Sequence, residues 1–196
     1  MKAGATEWGW FVTAITVATL IGSPLVASLS QRIGKKQTVI LLMGCSAFAY
    51  ASVWWTFRPE LAAWKLYLIT GAFIGLFCNT MPIIVNSMLA DVCDYDELKS
   101  GHRREAFYGA VFVTTDKVAM AVTLLLQGFL LSYSGFDAKL DVQASETLST
   151  WMRWLLMTQP TGFILGMFVI FLYPLTRERC HEIRAELDVR AAGVKS

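Results

Sequence analysis

Residues 8–31 read WGWFVTAITVATLIGSPLVASLSQ and contain no charged side chain. A bilayer core about 30 Å thick requires roughly 20 apolar residues in an α-helix. Because backbone polar groups in lipid must be satisfied within the segment, this stretch predicts a transmembrane helix rather than a strand. It is too long for the apolar core of a signal peptide, and it lacks an A-x-A cleavage site.

Four further stretches of the same kind follow along the chain. The sequence therefore predicts an all-α, polytopic transmembrane helix bundle whose five spans and C-terminal tail are 8–30, 37–57, 64–90, 106–133, 154–176 and 177–196. The composition agrees, since 55% of the residues are hydrophobic and only 16% are charged. Soluble domains contain about 25% charged residues. The net charge of +2, with dispersed basic residues, argues against a nucleic-acid partner. Membrane lipid is the expected surrounding.

The distribution of Lys and Arg predicts the orientation. Alternate loops carry eleven basic residues on one side and five on the other, and Lys117 inside a span completes the 17 in the chain. The positive-inside rule assigns the side with eleven to the cytoplasm. The C-terminus is then cytoplasmic and the N-terminus external.

Two adjacent charges lie within the fourth span. Lys117 follows Glu105 by twelve residues, which places it about 18 Å deep at 1.5 Å per residue. A charge at the bilayer centre costs at least about 2.5–3.5 kcal/mol. Asp116 and Lys117 point about 100° apart, so we expect that they do not simply pair with each other. They indicate either a buried ion pair that holds helices together or a substrate or ion pathway.

The third span combines small, polar and helix-breaking residues. Gly71 and Gly75 form a small-xxx-small pair that predicts close helix packing. Asn79 and Asn86 are seven residues apart and share a helix face, with Pro82 between them. Pro82 is expected to kink the span. The two asparagines either line a transport path or form ordinary interhelical hydrogen bonds.

Acidic residues gather in the segment ADVCDYDE at positions 90–97. Acids at a helix C-terminus oppose the helix dipole, so nearby bases are expected to compensate. Six of the eleven bases on the same predicted side lie in its two loops: Arg32, Lys35, Lys36, Lys99, Arg103 and Arg104. The pattern predicts a salt-bridge network across the helix ends, which can act as a gate. The alternative is a solvated charged loop whose pairs contribute little.

No pattern in the sequence indicates catalysis. Neither G-x-S-x-G nor H-E-x-x-H occurs. The four cysteines have no spacing typical of a zinc site or a disulfide framework. We therefore predict no enzyme activity, no catalytic residue, no metal site and no cofactor.

Residues 88–106, MLADVCDYDELKSGHRREA, resemble the glycoside–pentoside–hexuronide:cation symporters, which are the melibiose-carrier family of the major facilitator superfamily. The family pattern A-D-x-x-D-Y-x-x-x-K-x-x-x-R-x-E is matched from Ala90 to Glu105. The basic turn RIGKK at 32–36 and the segment Tyr173-Pro174-Leu175 are similar to the family as well. The resemblance covers nearly the whole chain.

The resemblance implies that the five spans correspond to helices eight to twelve of a twelve-helix carrier, so that the chain is part of a C-terminal half. The implied activity is secondary active transport of a sugar or glycoside with a cation, Na⁺ or H⁺, across the inner membrane. The cation would bind to N-terminal helices that this chain lacks. Those helices, or a partner chain, and the sugar are the expected partners. The alternative is a non-transporting membrane subunit or remnant that needs a partner chain.

The candidate site residues form two sets, a substrate pathway and a cytoplasmic gate. The resemblance implies that Lys117 lies near the sugar site, and the patterns above add three further pathway residues: Asp116, Asn79 and Asn86. The resemblance also implies a gate of Asp91, Asp94 and Arg103, and the basic turn adds Arg32.

Overall fold

The computed structural model describes residues 5–56, 64–137, 140 and 144–194. The described residues contain no strand, and their seven helices are α1 (Ala5–Ile33), α2 (Lys35–Thr56), α3 (Trp64–Phe77), α4 (Met81–Ser100), α5 (Glu105–Tyr133), α6 (Ser145–Phe171) and α7 (Arg177–Val194). This confirms the expected all-α bundle.

Four of the described segments are long and apolar enough to cross a membrane: Gly9–Ile33, Leu68–Ser100, Glu105–Tyr133 and Ser149–Phe171. The second expected span corresponds to α2, which is not among these four segments. The end of that span at residue 57, and the end of the tail at 195–196, lie outside the described residues. A total of five spans therefore stays a prediction.

The third expected span corresponds to the single segment Leu68–Ser100, but a turn just before Pro82 stands where one kinked helix was expected. Helices α3 and α4 are separated by a turn at residues 78–80. Pro82 lies in the first turn of α4, where its missing N–H has no intrahelical partner to lose. The buried Thr80 stabilises the turn, because its Oγ1 donates to the carbonyl oxygen of Leu76 at 2.5 Å. Pro82 thus begins a helix rather than bending one.

Helix α1 packs along α3 through the glycine pair, as the small-xxx-small pattern predicts. A Cβ atom at Gly75 would meet the carbonyl oxygen of Ile15, and one at Gly71 would lie 3.0 Å from the Phe11 ring. Thr19 Oγ1 donates to the carbonyl oxygen of Gly75 at 3.1 Å. The absence of side chains at these two positions allows the helix backbones to approach closely.

Helix α2 lies between α3 and α6 and also contacts α1 and α4. The hydrophobic core joins α1, α2 and α4 and comprises Val26, Val39, Leu42, Ile84 and Met88. The expected tail is a helix, α7, which packs against α4.

Helix α5 differs from the other helices in its exposure. None of its residues is buried, and Leu125 is 75% exposed.

Candidate functional site

Many of the charged residues meet at one end of the bundle. This end is formed by residues 32–37, 98–104 and 177–190, and we call it the basic end. Asp91 lies at its centre, with a side chain that is only 3% exposed. Lys35 Nζ donates to both carboxylate oxygens of Asp91, at 2.8 and 2.6 Å, and to the carbonyl oxygen of Ser87 at 3.0 Å. Arg184 Nη2 donates to Asp91 Oδ1 at 3.0 Å. Because an unpaired buried carboxylate is costly, these two cations are what allow Asp91 to be buried.

A second carboxylate, Asp94, extends the network towards α5. Arg184 Nε donates to Asp94 Oδ2 at 3.3 Å, and Arg103 Nη2 lies 3.8 Å from Asp94 Oδ1. Arg103 also donates to Glu97 Oε2 at 3.0 Å and, through Nε, to Glu105 Oε1 at 2.8 Å. The hydrogen bond to Glu105 raises the pKa of the Arg103 guanidinium. One arginine therefore connects the end of α4 to the start of α5.

Besides the ion pairs of Arg184, helix α7 makes apolar and backbone contacts with the basic end. Ile183 is 1% exposed against the bundle. Arg177 Nη1 donates to the carbonyl oxygen of Arg32 at 2.7 Å, and Arg190 Nη1 donates to that of Leu98 at 2.9 Å. These bonds satisfy carbonyl oxygens at the C-terminal ends of α1 and α4, which the helices leave without intrahelical partners. The first turn of α7 and its C-terminal half are thereby both anchored.

The structure brings three of the four predicted gate residues into one network. Arg184 on α7 donates to both Asp91 and Asp94, and Arg103 lies beside Asp94. Arg32 takes part only through its backbone, since its carbonyl oxygen accepts from Arg177. Among the described residues the Arg32 side chain, which is exposed, forms no ion pair.

Sequence reasoning did not place two central cations, Lys35 and Arg184, in the gate set. Lys35 was one of six nearby bases, and nothing in the sequence ranked it above Arg32. Arg184 lies in the segment that we expected to be a tail. The sequence feature that could have identified Arg184 is its spacing from Arg177. It follows Arg177 by seven residues, so the two share a face if the segment is a helix.

Of the four predicted pathway residues, Asp116 and Lys117 are the two that contact each other among the described residues. Asn79 in the turn after α3, Asn86 on α4, and both Asp116 and Lys117 on α5 are exposed. Lys117 Nζ lies 3.7 Å from Asp116 Oδ2, with side chains 68% and 62% exposed. Our expectation that these neighbours cannot pair was wrong, because the long lysine side chain spans the angle between them. Among the described residues neither forms an ion pair with another helix.

A cavity of about 300 Å³ lies beside Asp91, between the turn after α1 and the first turns of α7. Four cationic side chains contribute to its lining: Lys35, Lys36, Arg177 and Arg184. Cys180 also lines it, and burial, followed by the charge of Asp91, raises the pKa of the Cys180 thiol. The network and the cavity thus share one carboxylate.

Comparison with known proteins gives a consistent result. The profile of a family described as MFS/sugar transport protein matches residues 1–177. An uncharacterized symporter of Synechocystis sp. is 31% identical over 196 aligned residues, covering 97% of this chain and 35% of that protein. A glucuronide carrier protein homolog of Escherichia coli is 30% identical, covering 94% of this chain and 40% of that protein. An isoprimeverose transporter of Lactiplantibacillus pentosus is 23% identical, covering 85% and 34% respectively.

The chain spans 35% and 40% of the length of the first two relatives. No solved structure matches the chain significantly.

Proposed function

Because this chain belongs to the MFS/sugar transport protein family, we propose that it supplies C-terminal helices of a carrier that moves a sugar or glycoside together with a cation. In this proposal the basic end lies in the cytoplasm and the membrane is the inner membrane. The coupling cation, Na⁺ or H⁺, binds to helices outside this chain. The names of the relatives, which include a glucuronide carrier homolog and a glycoside/cation symporter, support this substrate class.

The observation that carries the proposal is the burial of Asp91 between cations from two other helices. Alternating access requires contacts that close one side of the substrate site and then release it. The ion pairs of Asp91 join α2, α4 and α7 at one end of the bundle. Lys35 and Arg184 are 27% and 53% exposed, so water can reach them when the pairs separate. In our proposal this arrangement is the closed cytoplasmic gate.

Arg103 gives the gate a second level. Its pairs with Asp94, Glu97 and Glu105 lie at the α4–α5 connection, away from the buried carboxylate. Separation of these pairs costs little, because the Arg103 side chain is 54% exposed and solvent screens its charge. The proposed opening sequence therefore begins at Arg103 and ends at Asp91, whose pairs are the more deeply buried.

In the same proposal, Lys117 and Asp116 face the substrate path. A charged pair on a membrane-spanning helix requires a water-filled cavity or a polar partner. Helix α5 has no buried residue and contacts only parts of α4 and α6 among the described residues, so most of its surface is available to the other half of a carrier. The Lys117 ammonium offers three N–H donors to sugar hydroxyl groups. Asn79 and Asn86 remain pathway candidates on exposed positions.

The test is uptake by a fusion. The N-terminal helices of the Escherichia coli glucuronide carrier homolog are joined to this chain, and cells that lack endogenous uptake are given radiolabelled glycosides, pentosides and hexuronides. We expect uptake of at least one sugar, and its loss in Lys117→Ala. The control is Leu125→Ala, an exposed apolar position on the same helix. Full uptake by Lys117→Ala would exclude Lys117 from the pathway.

The second candidate function is a non-transporting membrane subunit. The observation that favours it is the exposure of α5, which leaves a helix of 29 residues without a buried side chain. Sugar uptake into proteoliposomes that contain this chain alone distinguishes between the two candidate functions. Robust sugar uptake there would eliminate the subunit, whereas the carrier proposal expects uptake only with the additional helices.

A further inference from the structure

The cavity at the basic end has a strong charge imbalance. Its lining, among the described residues, contains four basic side chains, Lys35, Lys36, Arg177 and Arg184, but only one carboxylate, Asp91. Asp91 is already matched, because Lys35 and Arg184 both donate to it. It therefore does not repel an anion in the cavity, and a surplus of positive charge remains.

The surplus lies on Lys36 and Arg177. Lys36 Nζ donates to the carbonyl oxygens of Phe171 and Tyr173, at 2.9 and 2.7 Å. Arg177 Nη1 donates to the carbonyl oxygen of Arg32 at 2.7 Å. These acceptors are neutral, and within the described part of the chain neither cation pairs with a carboxylate. Most of the five guanidinium donors of Arg177 remain available for a ligand.

The backbone adds to the same field. Helix α2 begins at Lys35 and α7 begins at Arg177, so two helix N-termini border the cavity. The first N–H groups of a helix carry partial positive charge and favour anions, phosphate in particular. Side-chain charge and helix dipoles therefore point to the same class of ligand.

We propose that this cavity binds a phosphate group, with Lys36 and Arg177 as its principal ligands. The group is carried either by the headgroup of an anionic phospholipid or by a small soluble phosphate. Arginine suits this role because its planar donors match phosphate oxygens in pairs. The site is separate from the proposed sugar pathway and does not depend on transport.

The experiment measures the thermal unfolding temperature of the full chain in a neutral detergent. The probes are inorganic phosphate and a short-chain phosphatidylglycerol, each titrated against sodium chloride at equal ionic strength. We expect a saturable rise with at least one phosphate probe. A rise with phosphatidylglycerol alone identifies the lipid source, and a rise with inorganic phosphate alone identifies the soluble source. A response equal to that of chloride, or no response, overturns the proposal, because it shows only screening.

The variants locate the site. Arg177→Gln together with Lys36→Gln is expected to weaken the apparent affinity at least tenfold. Arg177→Gln alone is the second variant in case the double variant fails to fold, since it loses only one described hydrogen bond, and we expect at least threefold weakening. The control is Arg179→Gln on the same helix, which pairs with Glu182 at 2.8 Å and does not line the cavity. Equal weakening by Arg177→Gln and Arg179→Gln, or unchanged binding in Arg177→Gln, contradicts the assignment.

Discussion

Arg184 on α7 donates to Asp91 on α4 at 3.0 Å, across 93 residues of the chain. Lys35, which precedes Asp91 by 56 residues in the sequence, also donates to this carboxylate. Three helices that are distant in the sequence therefore meet at one buried charge. The stability of the basic end should depend on this carboxylate more than on any exposed ion pair.

Substitution of Asp91 tests that dependence. Asp91→Asn removes the negative charge between Lys35 and Arg184, and we expect it to lower the free energy of unfolding by about 1–3 kcal/mol. The loss falls below the ~3–5 kcal/mol of a fully buried pair, because both cations remain partly hydrated. Denaturant titration in micelles measures it. The control is Glu182→Gln, whose partner is exposed. Equal stability of Asp91→Asn and wild type would contradict the central position of this residue.

Helix α7 should loosen selectively when its internal contact is removed. Arg184→Gln loses the bonds to both Asp91 and Asp94, so we expect faster amide hydrogen exchange over residues 177–194. Hydrogen–deuterium exchange with mass spectrometry gives the rates. Arg179→Gln is the matched control, since the one ion pair of Arg179 in the described part of the chain is with Glu182 on the same helix. If both variants exchange alike, α7 is held by its apolar contacts rather than by Arg184.

The α1–α3 contact should not tolerate a methyl group. A Cβ atom at Gly75 would collide with the Ile15 backbone, so Gly75→Ala must separate the helices and is expected to destabilise the chain by about 1–3 kcal/mol. Gly128→Ala on α5 meets nothing within 4 Å and is the control. Thermal unfolding and the yield of monodisperse protein are the measurements. A Gly75→Ala variant as stable as the control would mean that the two backbones are not in close contact.

Cys180 provides a pH-dependent report on Asp91. Burial and the neighbouring Asp91 carboxylate raise the pKa of the Cys180 thiol. The thiolate is the reactive form, so the maleimide reaction rate should reach its midpoint above the value of about 8.5 for a free cysteine. The rate is measured against pH in a variant whose other three cysteines are replaced. Asp91→Asn should lower the midpoint, because it removes a negative charge that disfavours the thiolate. An unchanged midpoint would place Asp91 too far away to act.

The sequence was sufficient to predict an all-α bundle, because runs of about 20 mostly apolar residues cross a bilayer as helices. The break before Pro82 was less accessible. The same proline kinks a continuous helix or begins a new one, and the choice depends on the buried hydroxyl of Thr80 and on the packing around it. Neither of these is visible in a linear pattern.

The acidic half of the proposed gate was also predictable, since Asp91 and Asp94 lie in a distinctive motif. Their partners were not, because the pairing of Asp91 with Lys35 rather than Arg32 depends on how the Gly34 turn directs the two side chains. Gly34 has a φ of +92° and turns the chain directly before Lys35. The role of Arg184 could not be predicted without knowing that its segment is a helix, and hydropathy alone indicated a polar tail there.

The most direct test of the account is the water accessibility of position 117 in the fused carrier in membranes. Lys117→Cys and Leu125→Cys, each without the native cysteines, are treated with a membrane-impermeant thiol reagent. We predict that the thiol at position 117 reacts and that the thiol at position 125 does not react. Equal resistance of both positions would show that Lys117 faces lipid or protein instead of a hydrated path, and would contradict the transport proposal.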